Sequence, residues 1–162
     1  MKIIKFLDEK FEEIILVAML AVMVILIFLQ VVMRYVFQDS LSWSEEVSRY
    51  FFLWIIWLGA AFATKKNAHI SLDFVTRRLP KNGRIIAEIL KNVLWLAFAI
   101  FLAYISWKLT ILIFMRDQLS AALRIPMGFA YASIPVGITL MVARLLQNFY
   151  KKIKGTEDEV VD

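Results

Sequence analysis

The chain contains no cysteine. Disulfides, thiolate catalysis and cysteine-ligated metal sites are therefore excluded together. It has one histidine, His69, so two-histidine haem ligation within the chain is impossible, which argues against a haem-carrying membrane anchor. No grouping of His, Asp and Glu has metal-ligand spacing, and no glycine-rich loop of the phosphate-cradling kind is present. No catalytic residue and no cofactor of its own are expected. Between Tyr50 and Thr64 there is no charged residue at all.

Apolar residues are what the chain has in excess, at 61% of its 162 positions. A soluble domain of this size has too little interior to hide that much apolar surface. A bilayer, by contrast, requires apolar runs of roughly 17–25 residues. The pattern predicts one all-α integral membrane domain over residues 1–150, with spans at about 14–36, 44–65, 90–115 and 125–147. A tail at 151–162, basic and then acidic, is expected to be disordered. The formal charge of +5 does not point to nucleic acid, because most basic residues sit at the edges of apolar runs.

Residues 42–74, SWSEEVSRYFFLWIIWLGAAFATKKNAHISLDF, organise the rest. Ser42 and Glu45 stand in the S-x-x-E relation of a capping box, with Trp43 beside them. Glu45 and Glu46 fall in the first helical turn, where negative charge meets the positive end of the macrodipole. Arg49, four residues after Glu45, can pair with it along the helix. The uncharged stretch at 50–64 rises only about 22 Å against a hydrocarbon core of about 30 Å. Either the bilayer thins here, or Glu45, Glu46 and Arg49 lie below headgroup level with protein partners.

The first span is too long for a secretory signal and leads straight into Met33-Arg34-Tyr35, so it is expected to remain uncleaved. Gln30, its strongly polar member, is expected to hydrogen-bond to a neighbouring helix. After Lys65 and Lys66, residues 70–82 read as an amphipathic interfacial helix, with Arg77 and Arg78 off its apolar side. Lys65, Lys66, Arg77, Arg78, Lys81 and Arg84 are the expected contacts with inner-leaflet phospholipid. His69 is expected to orient the turn by hydrogen bonding. Lys108, near the end of the third span, is expected to snorkel to the headgroups. In the fourth span Pro135 deprives the Tyr131 carbonyl of its usual donor and predicts a bend. Small residues four apart (Gly59 and Ala63, Gly128 and Ala132, Ser133 and Gly137) predict close helix contacts.

Sorting the basic residues by loop gives an orientation. With both termini in the cytoplasm, only Arg34, Arg49, Lys108, Arg116 and Arg124 fall outside, and every other lysine or arginine assigned to a loop or a chain end falls inside. The start of the second helix then faces the outer compartment. None of the spans carries an ionisable group near the bilayer midplane, where proton-coupled transporters usually need one. The chain therefore reads as an accessory subunit. The rival readings are a self-contained four-helix channel or small exporter, and a membrane assembly factor. Exporters of that size rely on a carboxylate inside the first helix, and residues 14–32 contain none.

The order Trp43, Ser44, Glu45, Glu46, then Gly59, Lys65-Lys66, His69 and Asp73-Phe74 resembles the small membrane subunit, DctQ-type, of tripartite ATP-independent periplasmic (TRAP) transporters. The resemblance covers almost the whole chain and is most similar to sialic-acid systems. It implies a bacterial inner-membrane scaffold for a large, sodium-driven subunit that imports an organic acid delivered by a periplasmic binding protein. Sodium would bind in that partner. Trp43, Glu45, Glu46, Arg49, Trp54, Trp57 and Gly59 are the candidate contacts with the large subunit. Simple helix capping remains open for the charged members, and a lipid-facing role for the tryptophans. Asp39, Arg116, Asp117 and Arg124 are candidates for docking the binding protein.

Overall fold

The computed structural model describes residues 2–65 and 81–158. In chain order these form α1 (Lys2–Tyr35), α2 (Ser42–Lys65), α3 (Lys81–Met115), a short α4 (Gly128–Tyr131) and α5 (Ser133–Asp158). Among the described residues there is no strand, only an isolated antiparallel bridge between Leu119 and Pro126. Four stretches are long and apolar enough to cross a membrane: Glu12–Tyr35, Ser42–Lys65, Ile89–Met115 and Gly128–Phe149. They correspond to the four expected spans.

Helix α2 has 24 residues, which at 1.5 Å per residue is about 36 Å. The turns that carry Glu45, Glu46 and Arg49 continue the same helix beyond the uncharged stretch. At the other end of the chain, α5 continues to Asp158, so residues 151–158 are helical where a disordered tail was expected. No proline interrupts that segment, and extending an existing helix fixes only one residue per added hydrogen bond. The expected interfacial segment at 70–82, with Lys66, His69, Arg77 and Arg78, lies outside the described residues apart from its last two positions. Those two, Lys81 and Asn82, open α3, whose first turn also contains Arg84.

The helices stand in a row, in the order α1, α2, α5, α3, each backbone approaching only its neighbours. The seam of the row is a small core of Ala61, Ala99, Ile138 and Met141, flanked by Trp57, Leu102, Ala103, Ile134, Val142 and Leu145. Water-driven burial does not operate between helices in lipid, so close approach and polar contacts must hold them. Gly137 provides one such close approach: a Cβ placed there would lie 2.6 Å from Trp57 Cβ and 2.7 Å from its backbone carbonyl. Trp107 Nε1 donates to Thr139 Oγ1 at 3.1 Å, tying α3 to α5. At the edge of the row, none of the most apolar window of α1 is buried.

Pro135 is fully buried, and the helix is interrupted at Ala132, between α4 and α5. The Tyr131 carbonyl that proline leaves without a backbone donor accepts from the Thr110 hydroxyl of α3 at 3.4 Å. Ser133 donates to the Ala130 carbonyl at 2.7 Å. Backbone bonds run on across the interruption, from Ala132 N to the Gly128 carbonyl at 2.8 Å and from Val136 N to the Ala132 carbonyl at 3.2 Å, and side chains stitch what proline leaves open.

Candidate functional site

One end of the row, opposite the chain termini, carries the loops at 36–41 and 116–127 and the site residues Asp39, Trp43, Glu45, Glu46, Arg49, Arg116, Asp117 and Arg124. The second loop is a closed structure. Ser120 N donates to the Ile125 carbonyl at 2.8 Å and Met127 N to the Gln118 carbonyl at 2.8 Å, across the Leu119–Pro126 bridge. Its neck is covered by Phe114, which lies over Gly128 and meets Phe129 edge-on with ring centroids 5.6 Å apart. Asp117 and Arg124 turn the loop with φ of 47° and 56°. Those are left-handed conformations that non-glycine residues adopt only where surrounding structure holds them.

The tip of this loop is held from α2. Glu46, 8% exposed, accepts on Oε2 from the backbone N–H of Ala122 at 2.8 Å and of Leu123 at 3.3 Å. Its other oxygen accepts from the Tyr50 hydroxyl at 2.8 Å. An ionised carboxylate is acceptor-only with about four lone-pair sites, and here donors converge on them from two segments of the chain. Glu46, a candidate contact with the large subunit, has its carboxylate buried and occupied by the chain's own loop. Nothing in the sequence spacing pairs residue 46 with residues 122 and 123. A buried acid at the mouth of an apolar span was the one available signal.

Glu45 faces the other way. It accepts from Gln30 Nε2 of α1 at 3.2 Å and from Arg49 at 3.2 Å, with Arg34 of α1 at 3.9 Å. The Gln30 contact is the interhelical bond expected of it, and Glu45–Arg49 is the expected pair along the helix. The capping box is not formed, because the Glu45 side chain is turned to α1. At the start of α2, Ser44 instead donates its hydroxyl to the Leu41 carbonyl at 2.8 Å. Arg34, Glu45 and Arg49 are all at least half exposed, so this cluster is open to a neighbour.

The tryptophans divide. Trp57 packs its Cβ and backbone into the α2–α5 seam against Gly137 and is half-buried. Trp54 is half-buried and Trp43 exposed. Gly59, in contrast to Gly137, has nothing within 4 Å of where a Cβ would be. Asp39, Arg116, Asp117 and Arg124 are all exposed at the loop end. Between the loops lies an open depression lined by Ser40, Leu41, Ser42, Trp43, Ala121 and Ala122.

The opposite end of the row has a second ionic cluster that the sequence did not announce. Glu12 of α1 pairs with Arg144 of α5 and, at 3.5 Å, with Lys65 of α2. Asn148 of α5 donates to the Thr64 carbonyl at 2.9 Å. Lys65, expected to contact phospholipid, thus also has a protein partner.

Comparison with known proteins gives a consistent result. The family profile described as tripartite ATP-independent periplasmic transporters, DctQ component, matches residues 23–155. The chain is 31% identical to a TRAP transporter small permease protein of Haemophilus influenzae, over 91% of this chain and 92% of that one. It is 32% identical to the isethionate TRAP transporter permease protein DctMQ of Oleidesulfovibrio alaskensis, over 98% of this chain but 26% of that longer one. It is 28% identical to the sialic acid TRAP transporter small permease protein SiaQ of Vibrio cholerae, over 95% and 88% of the two chains.

Proposed function

The chain belongs to the DctQ family of TRAP transporters, and on that premise we propose that it braces the large membrane subunit during sodium-driven uptake of an organic acid. It is a small permease subunit rather than an enzyme, and a multi-pass protein of the bacterial inner membrane. Its partners are the large membrane subunit and a periplasmic substrate-binding protein. The relative in which a matching stretch is about a quarter of one longer permease supports that assembly.

The observation that carries the bracing role is the row itself. Four spans side by side, each packing its backbone only on its neighbours in the row, give a panel with two broad faces, suited to lying along a larger body. In the proposed orientation the termini are cytoplasmic and the loop end faces the periplasm. The open cluster of Arg34, Glu45 and Arg49, with Trp54 and Gly59 further along α2, faces the large subunit's static part. The loops carrying Asp39, Arg116, Asp117 and Arg124 receive the binding protein. Lys65, Lys66, Arg77, Arg78, Lys81 and Arg84 lie at the inner leaflet. Sodium binds in the large subunit. The named substrates of relatives, isethionate and sialic acid, are both acids of small size, and sialic acid is the first to test.

The test is uptake into liposomes driven by a sodium gradient. The large subunit with its binding protein should transport the acid with this chain present and lose most of that activity without it. Transport by this chain on its own would overturn the bracing role.

A further inference from the structure

We propose that Glu46 is the positioning residue of the docking surface: it fixes the 116–127 loop in the shape against which the periplasmic binding protein seats. The proposal rests on the docking role given to this end of the chain, and adds the group that makes the surface a rigid one.

Three observations lead to it. First, the loop's own bonds close its neck and not its tip. The Leu119–Pro126 bridge and the bonds from Ser120 N and Met127 N lie on either side of residues 121–124. The peptide N–H groups at the tip, Ala122 and Leu123, are instead taken by Glu46. Two successive N–H groups converging on one carboxylate oxygen fix the orientation of that backbone, and bonds to a charged acceptor are the stronger kind.

Second, the same carboxylate couples the two loops. Glu46 lies in the opening turns of α2, whose Ser44, 1% exposed, is bonded through both its N–H and its hydroxyl to the Leu41 carbonyl. The 36–41 loop is thereby joined to α2, and α2 to the tip of the other loop. The depression between them has Ser40, Leu41, Ser42 and Trp43 on one side and Ala121 and Ala122 on the other. Its width is set by the Glu46 bonds.

Third, the exposed charges at this end hang from the same framework. Arg124 directly follows the gripped residues and holds φ 56°, and Asp117 holds φ 47°. Such backbone conformations persist only while surrounding structure imposes them. A loop released at its tip would let both relax, and the surface would present Arg116, Asp117 and Arg124 in many arrangements instead of one. Ordering a mobile surface on binding weakens association, whereas a preorganised one avoids that loss.

The test uses the complete three-component transporter in liposomes, titrated with its substrate-loaded binding protein. Glu46→Gln keeps the size of the side chain but leaves one oxygen in place of two and puts an amide N–H₂ among donors. The half-saturating concentration of binding protein should rise about tenfold, with the plateau rate changed far less. Hydrogen exchange should accelerate at the Ala122 and Leu123 amides. Tyr50→Phe, which removes one donor and leaves the loop bonds intact, should move the half-saturating concentration in the same direction by a smaller factor. It also carries the comparison should the Gln variant fail to assemble. Faster exchange with unchanged half-saturation would overturn the positioning role, as would a fall in plateau rate alone. The docking role itself fails separately if Arg116→Ala with Arg124→Ala leaves the half-saturating concentration unmoved.

Discussion

Glu12 of α1 and Arg144 of α5 are joined by a salt bridge although 132 positions separate them and the two helices are not packing neighbours. The bridge reaches past the end of α2, whose Lys65 shares the same carboxylate. At the loop end the arrangement repeats with the roles changed: Glu45 of α2 stands between Arg34 of α1 and Arg49. In both places one carboxylate lies between two cations, and in both it ties α1 to the row. Because none of the apolar length of α1 is buried, these two clusters, with the packing of α1 on α2, help to fix its place.

The terminal cluster should matter more to stability than the loop-end one. The Arg144 and Glu12 side chains are 18% and 31% exposed, between the exposed pairs worth about 0–1 kcal/mol and the buried ones whose rupture costs about 3–5 kcal/mol. Glu12→Gln should therefore destabilise the protein by about 1–3 kcal/mol, and Glu45→Gln by under about 1 kcal/mol. Thermal unfolding in detergent measures both. Equal shifts in midpoint would mean that α1 is held by apolar contact after all. The swap Glu12→Arg with Arg144→Glu should recover part of the loss.

Adjacent acids on α2 should separate by phenotype. Glu46→Ala leaves the Ala122 and Leu123 N–H groups without their acceptor, and each such loss is worth about 1–3 kcal/mol where water does not replace it. The protein should be measurably less stable. Glu45→Lys should leave the fold largely intact while placing three cations together with Arg34 and Arg49. Co-purification of the large subunit should fall for Glu45→Lys; full recovery of the complex would remove the Arg34–Glu45–Arg49 cluster from that interface.

The spans were legible because they depend on local composition: an uncharged run such as 50–64, bounded by Glu45, Glu46 and Arg49 on one side and Lys65 on the other, has one physical interpretation. Pro135 was legible for the same reason, since its effect on the Tyr131 carbonyl is fixed by the covalent ring. The direction each side chain faces was not. Glu45 and Glu46 are neighbours in sequence and point about 100° apart around a helix, so one meets α1 and the other a loop seventy-odd positions away. Trp57 and Gly59 differ likewise, one in the seam and one in the open. The Glu12–Arg144 pair depends on which helices are neighbours in the row, and no periodicity reports that.

The stitched break in the fourth span gives a third expectation. Thr110 is 4% exposed and its hydroxyl is the donor that meets the Tyr131 carbonyl. Thr110→Val keeps the shape and removes the donor, which should cost about 0.5–1.5 kcal/mol, in the range of interhelical bonds in membranes. Thr110→Ser, which retains the hydroxyl, should lose less than Val if the bond matters. A Ser variant less stable than the Val variant would show that the methyl group's packing dominates.

The two glycines of the α2 face and the α5 seam allow the fold and the assembly to be read apart. At Gly137 an added methyl would meet Trp57 Cβ at 2.6 Å and Trp57 backbone at 2.7 Å. Backbone cannot move aside as a flexible side chain can, so Gly137→Ala should force α2 and α5 apart at a cost of about 1–3 kcal/mol. At Gly59 the same methyl meets nothing within 4 Å, and replacing a helix-interior glycine with alanine removes about 0.5–1 kcal/mol of conformational cost. Gly59→Ala should thus leave the isolated subunit as stable as before or slightly more so. Gly59→Leu should also fold, since the space is open, but should reduce recovery of the large subunit if a helix of that partner lies there. Undiminished recovery with Gly59→Leu would show that this face of α2 meets lipid, and would place the contact with the large subunit elsewhere on the panel.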